Sequence, residues 1–283
     1  MPADLAGVAW IHGAPDCGAT DDPPLQTVAF DDDTFILRQS KCVHFEAPFL
    51  YLLFGEEAVL LHDTGATPSA HDFPIRQIVD DIIADRLRAR GQQSIHRIVT
   101  HSHGHGDHVA GDAQFRDLPA GSVAPIGVTR IATFFGIQEW PSGRATLDLG
   151  GRTLDVLPTP GHFDDHIMLF DRSRGLLLTG DTFYPGLLVV RDWEAYRQSI
   201  GRIARFCRDS AEGGHPATHL LGAHIEMANR PGEIFPLGAT FHPDEHPLPL
   251  DPAHLFDLES ALTEAGATPR QIARPDFVVE PRP

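Results

Sequence analysis

The chain has 283 residues, a formal net charge of −17 and an apolar share of 42%. That is enough apolar matter for a sizeable core, at a length that α/β enzymes reach as one domain. Lys41 is the one lysine and no basic run occurs. A nucleic-acid face or an anionic membrane surface would need clustered Lys/Arg, so both are excluded as partners. No run approaches the ~18 apolar residues of a membrane span. Cys17, Cys42 and Cys207 are widely spaced with no CxxC pair, which argues against a disulfide scaffold or a cysteine zinc ribbon. The N-terminus shows no basic and no apolar signal-peptide region, so a cytoplasmic, reducing location is the expectation.

In chain order, residues 1–24 read as an irregular lead-in rich in Gly, Pro and Asp. Leu25–Phe30 and Thr34–Gln39, split by Asp31-Asp32-Asp33, predict a hairpin. Phe49–Phe54 and Ala58–His62 around Gly55-Glu56-Glu57 predict another, ending in His62-Asp63-Thr64-Gly65. Between Phe73 and Arg90, apolar residues at helical spacing predict a helix that Gly91 stops. Ile95–Thr100 is a strand. It runs into Thr100–Gly111, where four histidines and one aspartate fall between His101 and His108.

Val109–Arg116 reads as a short helix, Ser122–Ile126 as a strand and Thr129–Phe135 as a helix. Ala145–Leu149 with Arg152–Leu157, and Ile167–Phe170 with Leu176–Thr179, are hairpins. Asp192–Cys207 is a helix with one apolar face, and Leu220–His224 a short strand. The segment 225–250 is irregular, rich in Pro and His. Pro252–Ala265 is a helix closed by Gly266, so 251–266 forms a C-terminal helical unit, and the tail beyond it is loose. Hairpins mixed with helices predict mixed sheets covered by helices. No repeat or linker divides the chain, so residues 1–283 are expected to form a single domain.

Imidazole is the commonest transition-metal ligand and carboxylate completes such sites. In an extended segment, residues i, i+2 and i+4 point one way. His103, His105 and Asp107 therefore share a side and His108 faces elsewhere, an arrangement that can serve two metals. Asp63, His162, Asp181 and His224 also stand at strand exits, as one pocket on one edge of a sandwich requires.

His103–His108, HGHGDH, resembles the HxHxDH motif of the metallo-β-lactamase superfamily. Asp63 in HDTG, His162 in TPGH, Asp181 in TGD and His224 in LGAH follow the order of that superfamily's other motifs. The resemblance covers roughly 49–224. It implies an αββα sandwich of two mixed β-sheets flanked by helices, with a two-metal site, usually zinc, although the donor set also suits iron or manganese. It implies that His103, His105 and His162 bind one metal, that Asp107, His108 and His224 bind the other, and that Asp181 bridges them. Asp63 would orient the ligands from outside. Only the frame starting at His103 fits, which leaves His101 surplus, as an outer contact or a loop histidine bonded to backbone.

An aspartate at 181 matches the glyoxalase II, lactonase and phosphodiesterase branches, and not the β-lactamases with a cysteine there. The reaction implied is hydrolysis of a small ester, thioester or lactone by a metal-activated hydroxide, with Asp107 steering the hydroxide or a proton. A mononuclear-iron persulfide dioxygenase, a phosphodiesterase or a weak β-lactamase are the alternatives. Tyr184, three residues past Asp181, stands where lactonase relatives carry a carbonyl-polarising tyrosine; otherwise it packs at the rim. His166 reads as the structural start of a strand, or as a ligand if the turn were helical, and Asp164 and Asp165 as solvated turn residues. His242, Glu245 and His246 lie in the rim segment and read as shaping substrate access, with a further metal set as the alternative. Glyoxalase II holds glutathione with basic residues near the C-terminus, whereas Asp251–Ala265 is acidic and Arg270, Arg274 and Arg282 come later. The partner expected is a small molecule, and a homodimer is left open.

Overall fold

The computed structural model describes residues 3–282. Strands β1 (Leu25–Asp31), β2 (Thr34–Gln39), β3 (Phe49–Phe54), β4 (Ala58–His62) and β5 (His96–Thr100) form one sheet in that order. All its pairs are antiparallel except β4 with β5, which helix α1 (Ile75–Arg90) joins as a parallel crossover. Gly91, left-handed at φ 65°, ends α1 with its N–H on Arg88 and Leu87 carbonyls, as only glycine does without strain. Short helices α2 (Gly106–Val109) and α3 (Val128–Phe135) follow.

The second sheet comprises β6 (Ala145–Asp148), β7 (Thr153–Pro158), β8 (Ile167–Asp171) and β9 (Leu176–Gly180), then, after β10 (Leu187–Val190) and helix α4 (Trp193–Glu212), β11 (His219–Gly222) and β12 (Pro249–Leu250). Its order is β12-β11-β9-β8-β7-β6, with β9 and β11 parallel across α4. Helix α5 (Pro252–Ala265) packs on α4, and β13 (Ile272–Ala273) and β14 (Val278–Pro281) join β10 in a small third sheet.

Side-chain alternation sorts these elements into layers. Tyr51, Leu53, Leu60 and Ile98 of the first sheet meet Leu154, Val156, Leu169 and Leu178 of the second in the central core. Leu50, Leu52, Phe54, Val59 and Leu61, one residue out of phase, pack on Ile75, Val79 and Ile83 of α1. Met168, Phe170, Leu177 and Leu220 pack outward on α4 and α5. Both sheets are thus covered on both faces, which gives the helix–sheet–sheet–helix sandwich. It explains why β3, β4, β8 and β9 are buried along their whole length.

The structure corrects several expectations. Cys17 and Cys42 form a disulfide. Spacing alone concealed it, because the lead-in folds back beside the residues after β2. A disulfide persists in oxidising surroundings, so cysteine usage no longer supports a reducing location; no helix among the described residues is long and apolar enough to cross a membrane. The expected strand at 122–126 is reduced to one parallel bridge, Val99 to Val123. The expected helix at 109–116 divides between α2 and a 3-10 turn, Ala110–Phe115. The tail beyond Gly266 is not loose: Phe277 and Val279 are buried, and β14 runs parallel to β10.

Candidate metal centre

Strands β4, β5, β7, β9 and β11 all end at one edge, because β4/β5 and β9/β11 are parallel pairs and β7 is two antiparallel steps from β9. Asp63, His101–His108, His162, Asp181 and His224 leave from those ends. The two sheets are fastened there. Phe49 N–H donates to the Ala223 carbonyl at 2.7 Å, and the buried Tyr51 hydroxyl to the Gly222 carbonyl at 2.6 Å. Gly180 is left-handed at φ 50°, and a Cβ there would come within 2.6 Å of His166 Nε2. Only glycine lets Asp181 turn in at this point.

Two donor sets result. His103, His105, His162 and Asp181 offer ligand atoms within 4.8 Å of one another, and so do Asp107, His108, Asp181 and His224. In the first, His105 Nδ1 lies 2.8 Å from His103 Nε2 and 3.1 Å from His162 Nε2. Asp181 Oδ2 stands 3.5 Å from His162 Nε2 and 3.8 Å from His103 Nε2. Its other oxygen, Oδ1, stands 3.4 Å from His108 Nε2 and 3.3 Å from His224 Nε2. Asp107 Oδ2 is 3.2 Å from His108 Nε2 and 3.4 Å from His224 Nε2. One carboxylate therefore divides its oxygens between two clusters.

Four of the five donor histidines have their outward nitrogen occupied, and this aims the inward one. His108 Nδ1 is held by Asp63 Oδ2 at 3.0 Å, His162 Nδ1 by the Val189 carbonyl at 2.8 Å and His224 Nδ1 by the Glu46 carbonyl at 3.0 Å. Ser102 Oγ lies 3.1 Å from His103 Nδ1. Such outer acceptors fix tautomer and ring direction in metal sites. Buried His108 Nε2 and Asp181 Oδ1 find no hydrogen-bond partner. Buried polar atoms are rarely left so, and a cation between them satisfies both. Each of the two donor sets could hold a metal ion.

The electrostatics agree. Burial pushes the Asp181 carboxyl up, but His108, His224 and His103 overcome it and hold it well below the usual range. Burial pushes His108 down, but Asp181, Asp63 and Asp107 raise it well above an ordinary imidazole. His103 and His166 are driven well below by burial, reinforced by neighbouring histidines. Closely packed groups of opposing sign are what a functional site concentrates.

Asp63 Oδ1 also accepts from Ser102 N–H at 2.7 Å, so Asp63 locks the metal loop as well as His108. His101 lies outside the donor sets, its Nε2 2.8 Å from Asp112 Oδ1. His166 is buried, its Nδ1 2.7 Å from Thr159 Oγ1 and its Nε2 accepting from Asp181 N–H at 3.2 Å. Asp165 is not a solvated turn residue. It is buried, accepting from Gly104 N–H at 3.1 Å and Gly127 N–H at 2.5 Å, because those loop amides have no other partner there.

Tyr184 is buried with its hydroxyl 2.8 Å from the Leu187 carbonyl and 2.9 Å from Glu226 Oε2. His242 stacks on Phe235 and lies 3.3 Å from Glu245 Oε1, and His246 Nε2 meets Asp276 Oδ1 at 3.1 Å. These contacts fasten the rim segment. Sequence reasoning missed residues 40–47, which supply Glu46 to His224; the signal was the polar stretch Gln39-Ser40-Lys41 between two apolar strands. It also missed the buried Arg38–Glu245 pair, 2.5 and 2.7 Å, which ties the rim segment to β2.

Comparison with known proteins gives the family. The profile described as "Metallo-beta-lactamase superfamily" matches residues 46–217. The chain belongs to the metallo-beta-lactamase superfamily. A hydroxyacylglutathione hydrolase of Rhizobium meliloti is 32% identical over 180 residues, 61% of this chain and 66% of that protein. Another, of Anaeromyxobacter dehalogenans, is 35% identical over 88 residues, 31% of this chain and 33% of that protein. The chain thus spans less than two thirds of the length of these relatives. Among solved structures, a metallo-beta-lactamase from Pontibacter korlensis superposes with a TM-score of 0.53 at 16% identity, over 84% of this chain and 99% of that one. At that identity the likeness speaks for the superfamily's fold.

Proposed function

We propose that the protein is a dinuclear metal hydrolase, zinc being the first choice, that cleaves a small ester, thioester or lactone. The division of the Asp181 oxygens between two donor sets carries this reading. His103, His105 and His162 would hold one metal, and Asp107, His108 and His224 the other. Bound there, a metal pair supplies Lewis acidity and a water activated at neutral pH. The chain's residues do the rest. Asp63, Val189, Glu46 and Ser102 hold the imidazoles in place, and Asp107 would steer the hydroxide or a proton while remaining a ligand. No serine or cysteine nucleophile is needed. The thioester arm has support in the printed names of the curated relatives. Against a glutathione thioester stands the C-terminal region, where Arg274 is spent on Asp257 at 2.9 Å.

The test is elemental analysis joined to a hydrolysis screen over p-nitrophenyl esters, lactones and thioesters. Two metals per chain with turnover are expected, and Asp181→Ala should lose metal and activity together. Full metal content in Asp181→Ala would overturn the assignment.

A further inference from the structure

Away from the donor sets, α4, the end of β7 and the connection leading into β6 enclose a cleft of about 390 Å³. Three arginines line it: Arg144, Arg202 and Arg205. In this acidic chain most arginines hold a carboxylate, for example Arg38–Glu245, Arg152–Asp171 and Arg208–Glu259. Among the described residues these three hold none. The Arg144 side chain has only the Phe206 ring, whose centroid is 6.0 Å from its Cζ, and the Arg205 side chain makes no hydrogen bond. Arg202 Nη2 reaches Ser199 Oγ at 2.9 Å and the Pro158 carbonyl at 3.4 Å, which leaves the charge itself unmatched. Burial also holds this guanidinium below its ordinary pKa. A half-desolvated cation without a counter-charge is costly unless an anion joins it.

Much of the rest of the wall is apolar. Leu157, Ile203 and Phe206 line the cleft, and Asp209 is the one acid in it. Past Arg144 and Phe206 the cleft continues into a second of about 340 Å³. There Arg172 is already neutralised by Asp155 at 2.6 and 2.7 Å. The free positive charge is therefore concentrated at the Arg144–Arg202–Arg205 end, beside the apolar surface. Guanidinium groups match carboxylate and phosphate oxygens with paired N–H donors.

We propose that this cleft binds a small organic anion, a carboxylate or phosphate head on an apolar body, at a site separate from the metal donors. The head lies among Arg144, Arg202 and Arg205, and the body lies on Phe206, Leu157 and Ile203. The cleft also backs onto the metal edge, since Pro158 closes β7 and Ser199 Oγ donates to the Pro160 carbonyl at 2.7 Å, two residues before His162.

The experiment is calorimetric titration of metal-loaded protein with octanoate, octyl phosphate, octanol and inorganic phosphate. It is repeated on R144Q/R205Q, which alters two exposed side chains; an unchanged Tm shows that this variant is folded. At least one amphiphilic anion should bind with one-to-one stoichiometry, and the tighter of the two identifies the head group. Losing two charge-assisted contacts should weaken it about tenfold or more in the variant. Octanol and inorganic phosphate should bind more weakly than that anion. The site is refuted if neither anion binds at millimolar concentration, if the variant binds as wild type does, or if octanol or inorganic phosphate binds as tightly as the amphiphilic anion.

Discussion

Asp63 Oδ2 lies 3.0 Å from His108 Nδ1, while Asp63 itself has a left-handed backbone at φ 68°. Non-glycine residues adopt that conformation rarely, and mostly where surrounding contacts over-determine it. Here the determinants are the Asp63 N–H on the Thr100 carbonyl at 2.8 Å and the Ser102 N–H on Oδ1 at 2.7 Å. The conformation turns the carboxylate back under the metal loop. Asp63→Ala should therefore lower metal affinity about 10- to 100-fold, and Asp63→Asn, which keeps an acceptor for the Ser102 amide, should lose less. Competition with a chromophoric chelator measures both. Equal affinity in wild type and Asp63→Ala would remove Asp63 from the site.

The Arg38–Glu245 pair fixes the rim segment. Both side chains are buried, and Arg38 also stacks on Phe49 at 4.8 Å. Removing one partner leaves a buried charge unpaired, which costs about 3–5 kcal/mol. Glu245→Ala should lose that much in urea-induced unfolding, and a loss below about 1 kcal/mol would place the pair among weak surface bridges.

His62 sets an acid limit. It is fully buried, Nδ1 2.9 Å from Thr100 Oγ1 and Nε2 unpartnered. Burial lowers its pKa from 6.5 to about 4, against the pull of Asp63. The folded pKa is thus depressed, so the contribution is intact above 6.5 and is lost as pH falls through the window down to about 4. At 1.36 kcal/mol per unit that amounts to about 3 kcal/mol at most. Unfolding free energy should fall across that window, and His62→Gln should flatten part of the slope. An unchanged slope in His62→Gln would assign the acid lability to other groups.

What was legible in the sequence depended on how local the physics was. The turn Gly55-Glu56-Glu57 between two apolar runs revealed β3 and β4, because a hairpin is decided by its own turn. The helix over 75–90 was legible from its apolar period and Gly91. The donor residues stood out because each sits at the end of a buried strand. The strand at 122–126 failed because its one partner, Val99, lies across a loop, and no local signal states whether pairing continues. β14 was missed because Phe277-Val278-Val279 follows Pro275 in a tail that reads as loose; only a parallel neighbour, β10, turns it into a strand. The Cys17–Cys42 bond and the outer acceptors Glu46 and Val189 are contacts between segments far apart in sequence. Two of the four imidazole supports are backbone carbonyls, which any residue type offers, so sequence carried no trace of them.

Tyr184 is the residue on which sequence and structure pull apart. Its place after Asp181 suggests a group that polarises a substrate carbonyl, yet its hydroxyl stands at the Leu187 carbonyl and Glu226 Oε2. Burial, reinforced by the Glu226 charge, holds the phenol well above its ordinary pKa, so it stays protonated and has one proton to donate. That proton is already within reach of two acceptors. Tyr184→Phe should therefore cost about 1 kcal/mol of stability and leave kcat/KM within about threefold of wild type. Removing a donor that stabilises charge in the transition state would instead cost about a hundredfold or more in kcat. Steady-state kinetics beside thermal unfolding separates the two. A large fall in kcat with an unchanged Tm would mean that the hydroxyl leaves Glu226 and Leu187 when substrate arrives.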